Sequence, residues 1–283
     1  MCACASADAA LRLLVIQGSD APRLGRTLAA LQAHARVPVE VVRLPHARDA
    51  SLESALTRAE RDRVIVALGP RASDLLVALP AAGPVVHCLA GADALRAGLP
   101  SVPSEAPADQ QAAWLRKLVP AARNVGLLYE PATNARRAEA IAASLDVAGY
   151  KVVLQPVGAA AALPGALAAL AGRADVLLAV PDRTVYAPEA ANGILLFSFR
   201  HRIPLVGTND AWVRRGALFA VDWDYAEVGA ACAALALREA QASKAAPALD
   251  SPRPRVWVNT KLASRFGLKG PDDVLQDPAI RHE

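Results

Sequence analysis

At 283 residues, with 54% hydrophobic side chains and only 4% aromatic ones, the chain has the mass of two ordinary lobes, with cores of alanine, leucine and valine. Its formal charge of +4 comes from 31 basic and 27 acidic residues spread without a run, which lends nucleic-acid binding no support. A mean hydropathy of +0.24 excludes a disordered polymer, and the longest apolar stretch, 157–170, is broken by Pro164 and Gly165 and makes no convincing membrane span.

In chain order, apolar runs at 11–17, 37–44, 64–68, 84–89, 124–129, 152–155, 176–180, 204–206 and 218–221 read as strands buried on both faces. Helical spacing falls between them at 22–35, 52–61, 73–79, 107–119, 134–148, 163–172, 188–200 and 225–242. Strict alternation predicts right-handed crossovers and parallel sheets covered by helices. The strands are too many for one sheet in a chain of this size, so two doubly wound α/β lobes are expected. Turn residues concentrate in GLPSVPSEAP at 98–107, which places the first break between them.

Ligands of such sheets bind outside the carboxyl ends of the strands, so the loops at 18–20, 69–73, 90–93, 130–134, 181–184 and 207–210 carry the search for function. No GxSxG, HExxH, Walker or GxGxxG signature occurs in them or elsewhere. The histidines His34, His46, His87, His201 and His282 are scattered, and only His87 ends an expected strand, where a hydrogen-bonded core role is the ordinary reading. Asp222 and Asp224 stand two apart; Asp224 is expected to cap the helix at 225, and Asp222 stays open between structure and chemistry. Ser73, Asp93, Thr133 and Asn134 face the same choice between capping and ligand contact, and their shared placement after strands favours a ligand for the set. Among the cysteines Cys2, Cys4, Cys88 and Cys232 there is no CxxC pair and no histidine at zinc spacing. Neither a zinc site nor a disulfide framework is therefore expected, and Cys88 and Cys232 read as small core residues. The small-residue stretch after Met1 lacks the charged and apolar regions of a secretory signal, so the chain is either cytoplasmic or trimmed of a leader.

Four motifs in order then bear a resemblance. GLLYEPATN at 126–134 is similar to GVLYNPSEAN of the ABC-transporter substrate-binding protein family whose described members bind tryptophan or tyrosine, with Glu130 where asparagine is usual. VPDRTVY at 180–186 resembles its PTDNTV segment, and IPLVGTNDAWVRRGALFAVDWDYAEVG at 203–229 resembles IPVFASDEDSVKRGALAALGIDYYELG. VWVNTKLASRFGL at 256–268 is similar to the terminal strand and helix, LVINLKAAKKLGI. VALGPRASDLL at 66–76 resembles AIGTPAAQAL more loosely, and the usual GGNVTGV hinge segment is missing.

The resemblance implies a type I periplasmic-binding-protein fold: two doubly wound lobes joined by a hinge, 10–102 plus 222–248 forming one and 103–221 plus 249–283 the other. It implies a solute-binding component of an ABC importer, not an enzyme and without a cofactor or metal, that takes an amino acid or related metabolite in an interlobe cleft and presents it to a permease. An exported precursor is then expected, periplasmic or lipid-anchored, with Cys2 or Cys4 as the remnant of a lipobox. Position by position it nominates Glu130, Thr133, Asn134, Asp182, Thr184, Thr208, Asn209, Asp210 and Asp222, while loop position alone adds Ser19, Asp20, Arg71, Ser73 and Asp93. Asp182 or Asp210 could meet an ammonium, and Arg71 or Ser73 a carboxylate. Trp212, Trp223 and Tyr186 could stack on a ring, although packing is the more frequent fate of an isolated aromatic. The rivals are a sensory ligand-binding protein and a two-lobed enzyme, for which Asp222 with His87 or Asp93 is the available acid-base combination.

Overall fold

The computed structural model of the chain describes residues 11–44, 56, 63–79, 81–182, 184–187, 189–241, 251–267 and 280–282. The chain splits into two compact units: unit 1 is Met1–Glu105 with Trp223–Arg253, and unit 2 is Ala106–Asp222 with Pro254–Glu283. Unit 1 begins with β1 (Arg12–Gln17), α1 (Pro22–Ala35), β2 (Val39–Arg43), β3 (Arg63–Leu68), α2 (Pro70–Ala78), β4 (Val85–Ala90), α3 (Ala92–Arg96) and β5 (Ser101–Pro103). Unit 2 follows with α4 (Ala108–Leu118), β6 (Asn124–Tyr129), α5 (Pro131–Val147), β7 (Lys151–Pro156), α6 (Leu163–Leu170), β8 (Val176–Leu178), α7 (Ala191–His201), β9 (Leu205–Gly207), α8 (Asp210–Arg215) and β10 (Phe219–Trp223). The chain returns to unit 1 as α9 (Tyr225–Ala240) and to unit 2 as β11 (Pro254–Val258), α10 (Thr260–Arg265) and β12 (Ile280–His282).

Each unit has its own sheet. In unit 1 the order is β2-β1-β3-β4-β5 with every pairing parallel. In unit 2 it is β12-β11-β10-β9-β8-β6-β7, with parallel pairings from β10 through β7 and between β11 and β12. The central strands β3, β8 and β9 are buried at every position, because helices cover both faces. The expectation of two-sided burial fails for β2 and β7, where only part of each side chain is covered. They are edge strands, so a neighbour is missing on one side.

Several elements lie beyond the reach of periodicity. β5, α3, α8 and β12 have three to six residues each, too few to show a period. β5 carries unit 1 through the expected break, and it tolerates Pro103 because it is an edge strand. α2 and α5 begin at Pro70 and Pro131, three residues before the apolar spacing becomes visible, since proline suits the first helical turn. The helix expected at 52–61 lies outside the described residues except for Leu56, as do Cys2 and Cys4.

Unit 1 is completed by the returning helix. α1 buries Leu24, Thr27, Leu31 and Ala35 on one stripe, and α9 meets that stripe at Gly229. A Cβ at Gly229 would lie 2.6 Å from Ala30 Cβ and 2.8 Å from Leu31 N, and would collide with the Thr27 carbonyl oxygen. One turn further on, Cys232 forms a disulfide with Cys88 of β4, with 5.9 Å between their Cα atoms. This corrects the reading of the two cysteines as unlinked core residues. They are 144 residues apart, and no local spacing announces the pair. Trp223 adds a hydrogen bond from Nε1 to the Pro103 carbonyl oxygen at 3.0 Å, still within unit 1.

The crosslink ties the two chain segments of unit 1 across a loop that contains the first pass through unit 2. Replacing both Cys88 and Cys232 with alanine is expected to lower the unfolding free energy by about 2–4 kcal/mol. Urea titrations of the oxidised protein and the variant measure this, and dithiothreitol should bring the native protein to a similar midpoint.

Candidate functional site

In unit 2 the polar loops gather at the carboxyl ends of β6 and β8, and they are bound to one another. Glu130 ends the β6 loop and caps α5: its Oε1 accepts the Ala132 N–H at 2.9 Å, and its Oε2 accepts the Thr133 N–H at 2.8 Å and the Thr133 hydroxyl at 2.6 Å. The Thr133 hydroxyl bond, with the Ala132 amide next, holds the Glu130 carboxyl below its usual range despite the nearby Asp182. Asp182 accepts four bonds of its own. Its Oδ2 takes the Glu130 N–H at 2.9 Å and Asn134 Nδ2 at 2.8 Å, and its Oδ1 takes the Thr184 N–H at 2.7 Å and the Val185 N–H at 2.8 Å. Burial works against its ionisation, yet these bonds together keep its pKa below normal. Arg137 completes the lattice, donating from Nη1 to Asn134 Oδ1 at 2.9 Å and to the Pro181 carbonyl oxygen at 3.1 Å.

Asp182 is therefore a loop-bracing carboxylate, and Asn134 a buried bridge between the two loops. Arg137 was missed in the sequence, since it stands one turn inside a helix; the signal was its place three residues after Asn134 on the same face. In the loop after β9, Asn209 caps α8 by accepting the Trp212 N–H, while Asp210 accepts the Ala211 N–H and pairs with Arg214 at 2.9 Å. Thr133 is exposed, and Thr184 and Thr208 are half-buried. Asp222 lies half-buried in β10 at the end of unit 2, and Asp224 caps α9 through the Ala226 N–H. The aromatics take the packing role: Tyr186 and Trp212 meet edge to face at 5.7 Å inside the unit 2 core, and burial drives the Tyr186 phenol well above its usual pKa.

In unit 1 the nominated residues occupy the ends of β1, β3 and β4. Ser19 and Asp20 are exposed, with Asp20 3.5 Å from Arg43, and Arg71 is exposed in the first turn of α2. Asp93 is exposed and pairs with Arg96. Asp74, which the sequence reading passed over, lies near Asp93; desolvation and then the Asp93 charge raise its pKa. Ser73 is fully buried. Its hydroxyl accepts the Gly91 N–H at 3.2 Å and shares a hydrogen bond with His87 Nδ1 at 3.0 Å, whose direction depends on the imidazole tautomer. His87 is buried too, and desolvation lowers its pKa. Ser73 and His87 thus hold the β4 loop against α2. Among the described residues no cluster of three or more His, Cys, Asp or Glu could hold a metal, and no helix is long and apolar enough to cross a membrane.

Two parallel-sheet α/β units, with the chain passing between them three times and the polar loops at strand carboxyl ends, define a type I periplasmic-binding-protein fold. Residues 49–281 match the family described as ABC transporter substrate binding protein, and the chain belongs to that family. A ligand-free, open substrate-binding protein with adhesive properties from Clostridium difficile aligns at TM-score 0.74 and 16% identity, over 96% of this chain and 99% of that one. A conserved domain protein from Vibrio cholerae aligns at 0.66 and 18%, with the same coverages. An ABC domain in complex with L-Trp from Streptococcus pneumonia aligns at 0.65 and 18%, again over 96% and 99%. No match is found among curated proteins.

Removal of the Asp182 carboxylate leaves four donors without their acceptor, so Asp182→Ala is expected to cost roughly 1.5–3 kcal/mol of stability, read as a lower urea midpoint. For His87 the unfolded chain binds a proton near 6.5 while the folded chain resists until lower pH. Stability is then complete above the unfolded value and falls as pH drops from there toward the folded value. Urea midpoints between about pH 8 and pH 5 should show a decline that is shallower in His87→Gln.

Proposed function

We propose that this chain is the solute-capturing component of an ABC importer, and that it takes an amino acid or closely related metabolite on its strand-end loops. The observation that carries this reading is the loop lattice of unit 2, where Glu130, Asn134, Arg137 and Asp182 rigidify a polar edge without any nucleophile and base poised for chemistry. Thr133, Thr184 and Thr208 supply hydroxyls on that edge, and unit 1 offers Ser19, Asp20, Arg71 and Asp93 at its own strand ends. These are the complements of a zwitterion, since an ammonium needs acceptors and a carboxylate needs donors. The L-Trp named for one structural neighbour and the four sequence motifs support the amino-acid class.

Substrate-binding proteins of this family work outside the cytoplasm, and the Cys88–Cys232 disulfide suits an oxidising compartment. In this reading the protein is periplasmic or anchored to the envelope by a lipid on Cys2 or Cys4, and its protein partner is a transporter permease.

A thermal-shift screen against amino acids, sugars and organic acids, followed by calorimetry on the hits, tests the reading. The expected outcome is saturable binding of at least one amino acid, with the compound recovered unchanged. Binding of sugars alone would replace the ligand class, and turnover of the bound compound would replace the transport role with catalysis.

A further inference from the structure

At the amino-terminal edge of the unit 2 sheet, a cavity of about 380 Å³ opens among the residues that precede β6, β8 and β9, the end of α7 and the residue after α10. It lies at the opposite ends of the strands from the loops at 130–134 and 181–184, and β6, with six residues, sets the two edges about 20 Å apart. The floor is apolar. Val119, Ala122, Ala174 and Ile203 are buried there, and the half-buried Phe266 adds an aromatic wall. An apolar floor of this volume with a few polar groups converging on it is the ordinary composition of a small-molecule site.

Three polar side chains, Asp175, His201 and Arg202, line the same cavity. The Asp175 carboxylate is engaged by the chain: its Oδ2 accepts the Arg123 and Asn124 N–H groups at 2.8 Å each and Asn124 Nδ2 at 3.1 Å, and the Arg123 charge lies near it. The cations are not engaged in this way. Among the described residues Arg202 has no ion pair and no side-chain hydrogen bond, and the His201 ring has none either, lying against Phe197 with 4.4 Å between centroids. A guanidinium without a partner beside an apolar floor suits an anion with an apolar body, because its planar fork holds a carboxylate by two parallel hydrogen bonds. We propose that this cavity is a second small-molecule site, separate from the strand-end loops, that takes a small organic monocarboxylate with its charged end on Arg202 and His201 and its apolar body over Val119, Ala122, Ile203 and Phe266. Asp175 repels a second negative charge, so a monoanion is preferred to a dicarboxylate or a phosphate. Such a site stands whether or not the strand-end loops capture a solute.

The test uses benzoate as the probe on the full chain and benzyl alcohol as its uncharged counterpart, with the amide resonances of Ala122, Ala174, Arg202 and Phe266 as the readout. Benzoate is expected to move these resonances to saturation, and benzyl alcohol to do so with affinity at least about tenfold lower. Arg202 has a left-handed backbone, φ 55°, which glycine adopts without strain, so Arg202→Gly removes the guanidinium from a chain expected to fold at least as well. In that variant benzoate should lose about tenfold or more in affinity while benzyl alcohol binds as before. Equal affinity of the two probes in the native protein would overturn the proposal, as would full retention of benzoate binding in Arg202→Gly. Benzoate shifts confined to the loops at 130–134 and 181–184 would overturn it as well and would assign the probe to the strand-end loops. Calorimetry with amino acids reports on solute capture separately, and Arg202→Gly should leave that result unchanged.

Discussion

The contact of α9 with α1 at Gly229 is the constraint on which unit 1 depends. The unit is made from two stretches of chain with most of unit 2 between them, and nothing local obliges the second stretch to return. What holds it is close approach without a side chain. At Gly229 the two helix backbones come so near that any Cβ would intrude on Thr27, Ala30 and Leu31, and dispersion contacts between backbones take its place. The Cys88–Cys232 bond and the hydrogen bond of Trp223 to Pro103 fix the same return at two further points. A helix register wrong by one residue would put Ala230 or Val228 at the contact, so Gly229 sets register as well as distance.

Unit 2 solves a different problem, that of holding polar loops still at the ends of strands. Buried carboxylates are tolerated where hydrogen bonds to the charged form offset lost hydration. Asp182 meets that condition with four donors and Glu130 with three, and both ionise more readily than free carboxylates. Their cost in desolvation is recovered as rigidity in the β6 and β8 loops. Loops braced in this way have less conformational entropy left to lose than loops that are ordered only by a partner.

Much of the architecture was legible in the sequence because it rests on period and length. The runs at 124–129 and 64–68 are apolar at nearly every position, which only a strand covered on both faces requires, and the helix at 22–35 shows its buried stripe at Leu24, Thr27, Leu31 and Ala35. Asp224 could be read as a cap because the helix it opens is long and begins immediately after it. The start of α5 was misplaced for the opposite reason. Its first turn, Pro131 to Asn134, is polar and faces the loops, so hydrophobic spacing begins only after the residues that matter for the site.

The sequence by itself determined the fold class, the alternation of strand and helix, and the set of loops in which polar residues end up at strand termini, because each depends on the order of residues within one short window. The tertiary structure decided what those residues do. Glu130 meets Asp182 across 52 positions, Asn134 meets it across 48, and Cys88 meets Cys232 across 144. Whether a loop carboxylate caps a helix, braces a second loop or stays open to a ligand is set by which donors the packed sheet brings within about 3 Å of it. Hydrogen bonds act over that distance in space, and distance along the chain carries no record of it.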